Sequence, residues 1–98
     1  MNVVVLDEAE AELTAAAEWY ERERTGLGDD LLAEADGVLS AVAERPTTWP
    51  FVSGSKVVRR YLFSRFPYIV YYVVRGEAVF VIAFGHTGPH PGYWRGRP

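Results

Sequence analysis

The chain has 98 residues, of which 49% are apolar and 23% charged, and its formal net charge at pH 7 is −3. This length suits one domain with a modest core, and the composition is ordinary for a soluble globular protein. The lack of cysteine excludes disulfides, thiolate metal sites and thiol nucleophiles, and it fits a cytoplasmic protein. No apolar run approaches the roughly 18 residues of a membrane span, and the N-terminus lacks a signal-peptide pattern.

The charges are distributed unevenly along the chain. Residues 1–53 contain 12 acidic residues against three arginines, whereas residues 54–98 contain Glu77 alone against one lysine and six arginines. Helices favour Glu, which accounts for part of the acidic half but not for the near absence of acids from the other half. The pattern predicts one acidic and one basic face, and the basic face favours an anionic partner, either nucleic acid or an acidic protein.

The first half of the chain predicts a strand followed by two helices. The apolar run 3–6 is typical of a buried first strand. Asp7, with Glu10 three residues later, matches an N-cap and its capping-box partner. Trp19 lies beside the apolar stripe of this helix, and we expect it to pack in the core, with a contact to a partner as the alternative. The stripe consists of Ala9, Leu13, Ala16, Ala17 and Tyr20.

Gly26 and Gly28 mark the boundary between the two helices, because glycine tolerates the left-handed conformation of a helix end. Gly28 and Asp29 supply the N-terminus of the second helix, and Pro46 ends it. Helices of about 16 residues are marginal alone, so the hairpin must pack on the sheet. The apolar face of the second helix consists of Leu31, Leu32, Ala35, Val38, Leu39, Val42 and Ala43.

The second half predicts a three-stranded antiparallel meander. Apolar, β-branched and aromatic runs at 57–63, 68–74 and 78–85 are separated by turns that contain Pro or Gly. Before them, 47–55 is a loop whose aromatic residues we expect to fold back on the core. The elements together predict an α+β two-layer sandwich in the order β-α-α-β-β-β, in which the N-terminal strand and the helical hairpin pack on a mostly antiparallel four-stranded sheet.

Two adjacent arginines lie in the first strand of the meander. Alternation places Val58, Arg60 and Leu62 on one face, and Arg59 and Tyr61 on the other. One of the two arginines therefore lies at the face that the helices cover, unless a bulge moves it outward. The sequence leaves open which one.

Short motifs recur in a consistent order along nearly the whole chain. The most specific are R-F-P-Y-x-x-x-Y, which begins at Arg65, and H-x-x-x-x-P-G-Y-W, which begins at His86. On these motifs the chain resembles the RelE/ParE superfamily of bacterial toxins from type II toxin–antitoxin systems, as a single toxin domain over residues 1–98. Weaker matches are Glu18-Trp19-Tyr20-Glu21, Gly26-Leu27-Gly28, Arg45-Pro46, Trp49-Pro50, Arg59-Arg60, Ala83 and Arg95.

The resemblance implies a toxin with one of two activities. RelE-like members are metal-independent RNases that cut mRNA in the ribosome, whereas ParE-like members poison DNA gyrase. Both kinds are neutralised by an antitoxin whose extended or helical segment wraps the toxin. The resemblance therefore implies a hetero-oligomer with a cognate antitoxin, gyrase or ribosome-bound mRNA as the target, a cytoplasmic location, and no membrane partner, cofactor or metal ion.

RNA cleavage would require cations, a base and an acid around one phosphate. Arg59, Arg60 and Arg65 could clamp a phosphate through their planar guanidinium groups. His86 could act as base or acid, and Tyr93 could stack on a nucleobase or donate a proton. These five residues are the candidate catalytic set if the protein is an RNase, and we expect them to gather near one end of the sheet.

Two features favour gyrase inhibition over RNA cleavage. Relatives with this tail usually have Arg where this chain has Pro89, so one expected cation near His86 is missing. RNase members also tend to be strongly basic, as ribosome docking would favour, whereas this chain is acidic overall. The sequence predicts a ParE-like toxin, with a RelE-like mRNA interferase as the alternative and a binding module without toxicity as a third possibility.

Overall fold

The computed structural model of the protein describes residues 1–87 and 93–97, within which two helices and four strands follow the predicted order. Neither helix of these ranges is long and apolar enough to cross a membrane. The architecture confirms the predicted α+β sandwich. Its elements are β1 (Asn2–Val5), α1 (Asp7–Glu23), α2 (Leu27–Glu44), β2 (Arg59–Leu62), β3 (Tyr68–Arg75) and β4 (Ala78–His86).

The four strands form one sheet in the order β1-β4-β3-β2. Strands β2, β3 and β4 are the predicted antiparallel meander, and β1 pairs in parallel with the other side of β4. The register between β3 and β4 shifts at Tyr71 and Tyr72, which face Ala83 and Val81, so Ile82 is an extra residue in β4. This bulge reverses the alternation of the last part of β4 and turns His86 to the same side as Tyr68, against whose ring it packs edge-on at 5.4 Å.

Each face of the sheet has its own apolar core. The face toward the helices buries Val70, Tyr72, Val79 and Val81 against α1 and α2. We call the opposite side the open face. It buries a smaller apolar cluster, to which the C-terminal segment contributes Trp94. The cluster consists of Tyr71, Val73, Ile82, Ala83 and Trp94.

Strand β1 is an edge strand, and the prediction that the run 3–6 is buried is wrong. Val3 and Val5 are half-buried toward the helices, while Val4 is 43% exposed. In the described part of the chain, β1 pairs with β4 alone, so its outer edge and its open-face side chains remain in solvent.

Helix α1 begins at Asp7, and the predicted Asp7 cap is wrong. Leu6 occupies the N-cap position in an extended conformation, and no side chain of the described residues caps the helix. The reason is that the Leu6 N–H donates to Val81 O at 3.0 Å, so the chain passes from the sheet into the helix without a loop. Asp7 and Glu10 instead lie in the first turn, where their negative charges interact favourably with the helix dipole.

The junction of α1 and α2 depends on Glu21. Gly26 has the predicted left-handed conformation, with φ of 90°. The Glu21 carboxylate accepts hydrogen bonds from the Gly26 N–H at 2.9 Å and the Gly28 N–H at 3.0 Å. These are amides that the start of α2 leaves without backbone partners. The apolar stripe of α1 is buried or half-buried as predicted, but Trp19 is 50% exposed and Leu32 of α2 is 40% exposed, so the core packing predicted for these two is wrong.

Trp49 of the loop between α2 and β2 folds back on the sheet as predicted, whereas Phe51 is 40% exposed, so the prediction is wrong for Phe51. The Trp49 ring packs edge-on against Tyr61 at 4.5 Å. The hydroxyl of the fully buried Tyr72 donates to Pro46 O at 2.7 Å. Phe51 forms an isolated bridge with Arg59, which extends the β2 edge by one residue pair.

Candidate functional site

His86 and Tyr93 line one groove between α1 and the C-terminal end of β4. We call it the His86 groove, and its volume is about 460 Å³. It lies beside the part of β4 that extends beyond the end of β1, where the strand edge faces α1 and the C-terminal segment. Its lining residues are Glu12, Ala15, Ala16, Trp19, Tyr68, Phe84, Gly85, His86 and Tyr93.

Tyr93 lies against the β4 backbone through a glycine. Its hydroxyl donates to Phe84 O at 3.0 Å. A Cβ atom at Gly85 would lie 2.7 Å from that hydroxyl, so only glycine allows the ring to approach this closely. Burial and the neighbouring Glu12 carboxylate raise the pKa of Tyr93 above its ordinary value. Tyr93 is therefore protonated at neutral pH, and its proton is engaged by a backbone carbonyl.

A Glu–Arg ion pair, which the sequence did not indicate, covers the edge of β4 beyond the end of β1. Glu12 Oε1 accepts the Phe84 N–H at 3.1 Å, and Arg97 Nη1 donates to Ile82 O at 2.9 Å. The two side chains also form a salt bridge of 3.0 Å. The hydrogen bond that Arg97 donates to the Glu12 carboxylate raises the pKa of Arg97. Side chains thus satisfy ladder groups that a further strand would otherwise pair.

Arg59 is the arginine that lies at the helix-covered face, because it is in register with Tyr72. Its Nη1 donates to Thr47 O at 3.1 Å and to Trp49 O at 2.7 Å. Its guanidinium also stacks 4.0 Å from the centre of the Phe51 ring. These contacts engage Arg59 in holding the loop after α2.

Arg60 lies on the open face, in register with Tyr71, as the alternation of β2 requires. It is half-buried and lines a shallow cleft of about 310 Å³ with Trp49 and Leu62 at the sheet edge. Arg59 and Arg60 therefore point to opposite sides of the sheet.

Arg65 lies in the turn between β2 and β3, next to the N-terminal part of α2. Its guanidinium is exposed and lies 3.7 Å from Asp30 Oδ2. Its backbone N–H and that of Ser64 both donate to the Glu34 carboxylate. Glu34 therefore fixes this turn to α2, a contact between residues 30 positions apart that no local pattern indicates.

The structure brings together two of the five predicted site residues. His86 and Tyr93 share the His86 groove, whereas none of the three arginines is among its described lining residues. Each arginine lies elsewhere: Arg59 beneath the loop after α2, Arg60 on the open face, and Arg65 beside α2. Pro89, the position at which the sequence departs from related tails, lies outside the described residues. Over the described ranges, no group of three His, Cys, Asp or Glu residues has an arrangement that could hold a metal ion.

Comparison with known proteins supports the fold. No protein-family model and no curated protein sequence matches the chain. Among solved structures, it is similar to a chain of the chromosomal ParDE TA (toxin–antitoxin) system from P. aeruginosa, with a TM-score of 0.67 and 17% sequence identity. The match covers 88% of this chain and 95% of that one. The chain therefore shares its fold with a chain of a ParDE toxin–antitoxin system, in agreement with the resemblance seen in its motifs.

Proposed function

We propose that this chain is the toxin of a type II toxin–antitoxin module, that it arrests growth in the cytoplasm by inhibiting DNA gyrase in the manner of ParE, and that a cognate antitoxin neutralises it. The observation that carries the proposal is the shared fold with a ParDE chain over nearly the whole length of both. The sequence motifs, which include Pro91-Gly92-Tyr93-Trp94-Arg95 near the C-terminus, support the proposal independently.

The contacts of the candidate residues support inhibition by binding rather than RNA cleavage. A phosphate clamp needs several cations directed at one point. Arg59 is instead engaged by two backbone carbonyls, and Arg65 faces Asp30. A general acid works best with a pKa near the working pH, whereas the pKa of Tyr93 is raised and its proton is held by Phe84 O.

The helical hairpin offers a surface for the proposed antitoxin. A groove of about 290 Å³ between α1 and α2 is lined by Ala17, Gly28 and the exposed Leu32, and by acidic residues that include Glu18 and Asp29. Apolar contacts flanked by acidic groups suit a basic amphipathic segment. The half-exposed Trp19 extends the same apolar surface of α1 toward the His86 groove.

A RelE-like, ribosome-dependent mRNA endonuclease is the alternative, and one observation favours it. His86 and Tyr93 share a groove with the aromatic rings of Trp19 and Tyr68, so an imidazole lies beside surfaces on which a nucleobase could stack. In that case His86 would be the group that transfers the proton, and the cations would have to come from the ribosome or from a rearrangement of the arginines.

The two activities are separated by assaying the purified protein against both targets. We expect micromolar protein to inhibit supercoiling by purified gyrase or to accumulate cleavage complexes, and to leave mRNA intact in a translation extract. Gyrase activity that is unchanged at this dose, together with mRNA cleavage that His86→Gln abolishes, would establish the alternative instead.

The toxin class itself is tested in cells. Induction should stop growth, and co-expression of the cognate antitoxin, which we expect to be encoded beside this gene, should restore it. Trp19→Ala changes an exposed residue, so we expect it to weaken the complex with that protein without loss of folding. Growth that continues normally after verified expression would refute the toxin assignment.

A further inference from the structure

A basic cleft on the open face of the sheet lies apart from the His86 groove. Its volume is about 280 Å³, and it lies between the loop before β2 and the turn formed by residues 94–97. Three arginines line it: Arg75 from the end of β3, and Arg95 and Arg97 from the turn. None of the described residues that line it is acidic.

Two of these arginines have no acidic partner in the described part of the chain. Arg97 is paired with Glu12, so its charge is already offset. Arg75 and Arg95 are exposed, and neither forms a salt bridge with a described residue. Two unpaired guanidinium groups from different elements at one cleft produce a local positive potential, which a bound anion would offset.

The indole of Trp94 forms part of the wall of this cleft. Trp94 is 4% exposed and packs against Tyr71 at 5.0 Å between ring centres. Its Nε1–H is buried and has no acceptor among the described residues, which leaves a donor without the hydrogen bond that buried polar groups normally form. Trp94 also lines the cleft, so an anion bound there would lie close to this indole and change the surroundings of its N–H.

The hydroxyl of Ser55 supplies a third donor. Its oxygen accepts the Val57 N–H at 3.1 Å and the Val58 N–H at 2.9 Å. With both acceptor positions used by the backbone, the hydroxyl proton remains to be donated. Ser55 lines the same cleft, from the wall opposite the 94–97 turn.

We propose that this cleft is a binding site for a phosphate group. Its donors come from three residues on three separate segments, namely Ser55, Arg75 and Arg95. A carboxylate has only two oxygens, and one bidentate arginine would satisfy it. A tetrahedral phosphate presents enough oxygens to engage donors from several directions. The phosphate can belong to a nucleic-acid strand or to a free nucleotide.

The test follows the indole N–H signals of the full-length protein by NMR while inorganic phosphate is added. We expect the signal of Trp94 to move as a negative charge enters the cleft beside its ring, while the signal of the exposed Trp19 stays in place. The double variant Arg75→Gln/Arg95→Gln should weaken binding by about tenfold or more, because charge-assisted contacts are lost. Arg22→Gln/Arg24→Gln is the matched control, since it removes the same charge from the exposed end of α1.

Further titrations identify the source of the phosphate. If a single-stranded oligonucleotide moves the Trp94 signal at much lower concentration than inorganic phosphate or AMP, the ligand is a polynucleotide backbone; similar concentrations indicate a free phosphate compound. A Trp94 signal that does not respond to phosphate would overturn the proposal. So would equal weakening in both double variants, or an equal response to acetate.

Discussion

Arg97 Nη1 lies 3.0 Å from Glu12 Oε1, and together the two side chains hold the free edge of β4. Glu12 accepts the Phe84 N–H, and Arg97 donates to Ile82 O. The pair joins α1 to a C-terminal residue 85 positions away and covers the strand where β1 no longer does. It therefore ties the C-terminal turn, with Trp94 and Arg95, to the rest of the fold.

Glu12→Gln should destabilise the protein by about 1–3 kcal/mol, because hydrogen bonds to charged groups are worth that much and Arg97 loses its counter-charge. Urea unfolding measures this loss. Glu18→Gln on the same helix is the control, because Glu18 is exposed and forms no hydrogen bond or ion pair with a described residue. Equal stability of the two variants would show that the pair contributes nothing to the fold.

The connection between α1 and α2 gives a second prediction. Glu21→Gln keeps the shape of the side chain but weakens its acceptance of the Gly26 and Gly28 amides, so we expect a loss of about 1 kcal/mol, as for other helix caps. Thermal unfolding of Glu21→Gln and of the exposed control Glu23→Gln measures the difference. A cap contribution would be excluded if the two melted at the same temperature.

The sequence predicted the parts of the fold that depend on local pattern. The meander was predicted from β-branched runs separated by turns. In the turn between β3 and β4, Gly76 adopts a φ of 60°. The helical stripes followed from spacing. The sequence could not predict the Glu12–Arg97 pair, the Glu34 contacts or the pairing of β1 with β4, since these join residues far apart in the chain.

The candidate site shows the same limit more sharply. Sequence proximity and chemistry grouped five residues, but alternation of β2 and the positions of the loops decide where each side chain lies. Arg59 and Arg60 are adjacent and yet lie on opposite faces of the sheet. His86 lies close to Tyr68 and in the same groove as Tyr93 because of a bulge in β4, which no residue pattern predicted.

Two glycines of α2 predict opposite responses to alanine. A Cβ at Gly28 would collide with the backbone carbonyl of Ala17, which cannot move without separating the helices, so Gly28→Ala should be destabilising by about 1–3 kcal/mol. Gly37 lies exposed in mid-helix, and no described residue outside its own stretch of helix comes within 4 Å of its Cβ position, so Gly37→Ala should raise the free energy of unfolding by about 0.5–1 kcal/mol. Chemical denaturation of both variants checks the pair, and a shift of the same sign in both would contradict the packing described.

Tyr72 predicts a loss of stability at alkaline pH. Burial raises the pKa of Tyr72 to about 12, although the positive charge of Arg59 opposes the shift. In the unfolded chain the hydroxyl ionises near pH 10, so above that pH the unfolded state binds fewer protons than the folded one. Stability should be unaffected below about pH 10 and should then fall by up to about 1.4 kcal/mol per pH unit until the folded pKa is passed.

Urea unfolding of the wild type and of Tyr72→Phe across that range separates this effect from general alkaline damage. The variant lacks the hydrogen bond to Pro46 O, so we expect it to be about 1 kcal/mol less stable at neutral pH but less dependent on pH above 10. Tyr93, whose pKa is also raised, contributes a slope of the same sign that remains in the variant. Identical slopes in both proteins would mean that Tyr72 is not the group that titrates.

The two adjacent arginines of β2 have different expected roles: Arg59 holds the structure, and Arg60 is available for binding. Arg59→Gln removes two charge-assisted hydrogen bonds to the Thr47 and Trp49 carbonyls, so we expect a cost of about 1.5–3 kcal/mol and a loosened loop after α2. Arg60→Gln removes the same charge from the opposite face, where no described residue pairs with it, and should change the free energy of unfolding by less than about 0.5 kcal/mol.

Urea unfolding gives the stability of both variants, and growth arrest after induction gives the second readout. If Arg60→Gln abolished toxicity at unchanged stability, Arg60 would be a contact to the target; if Arg59→Gln did so at unchanged stability, its proposed role in holding the loop would be wrong.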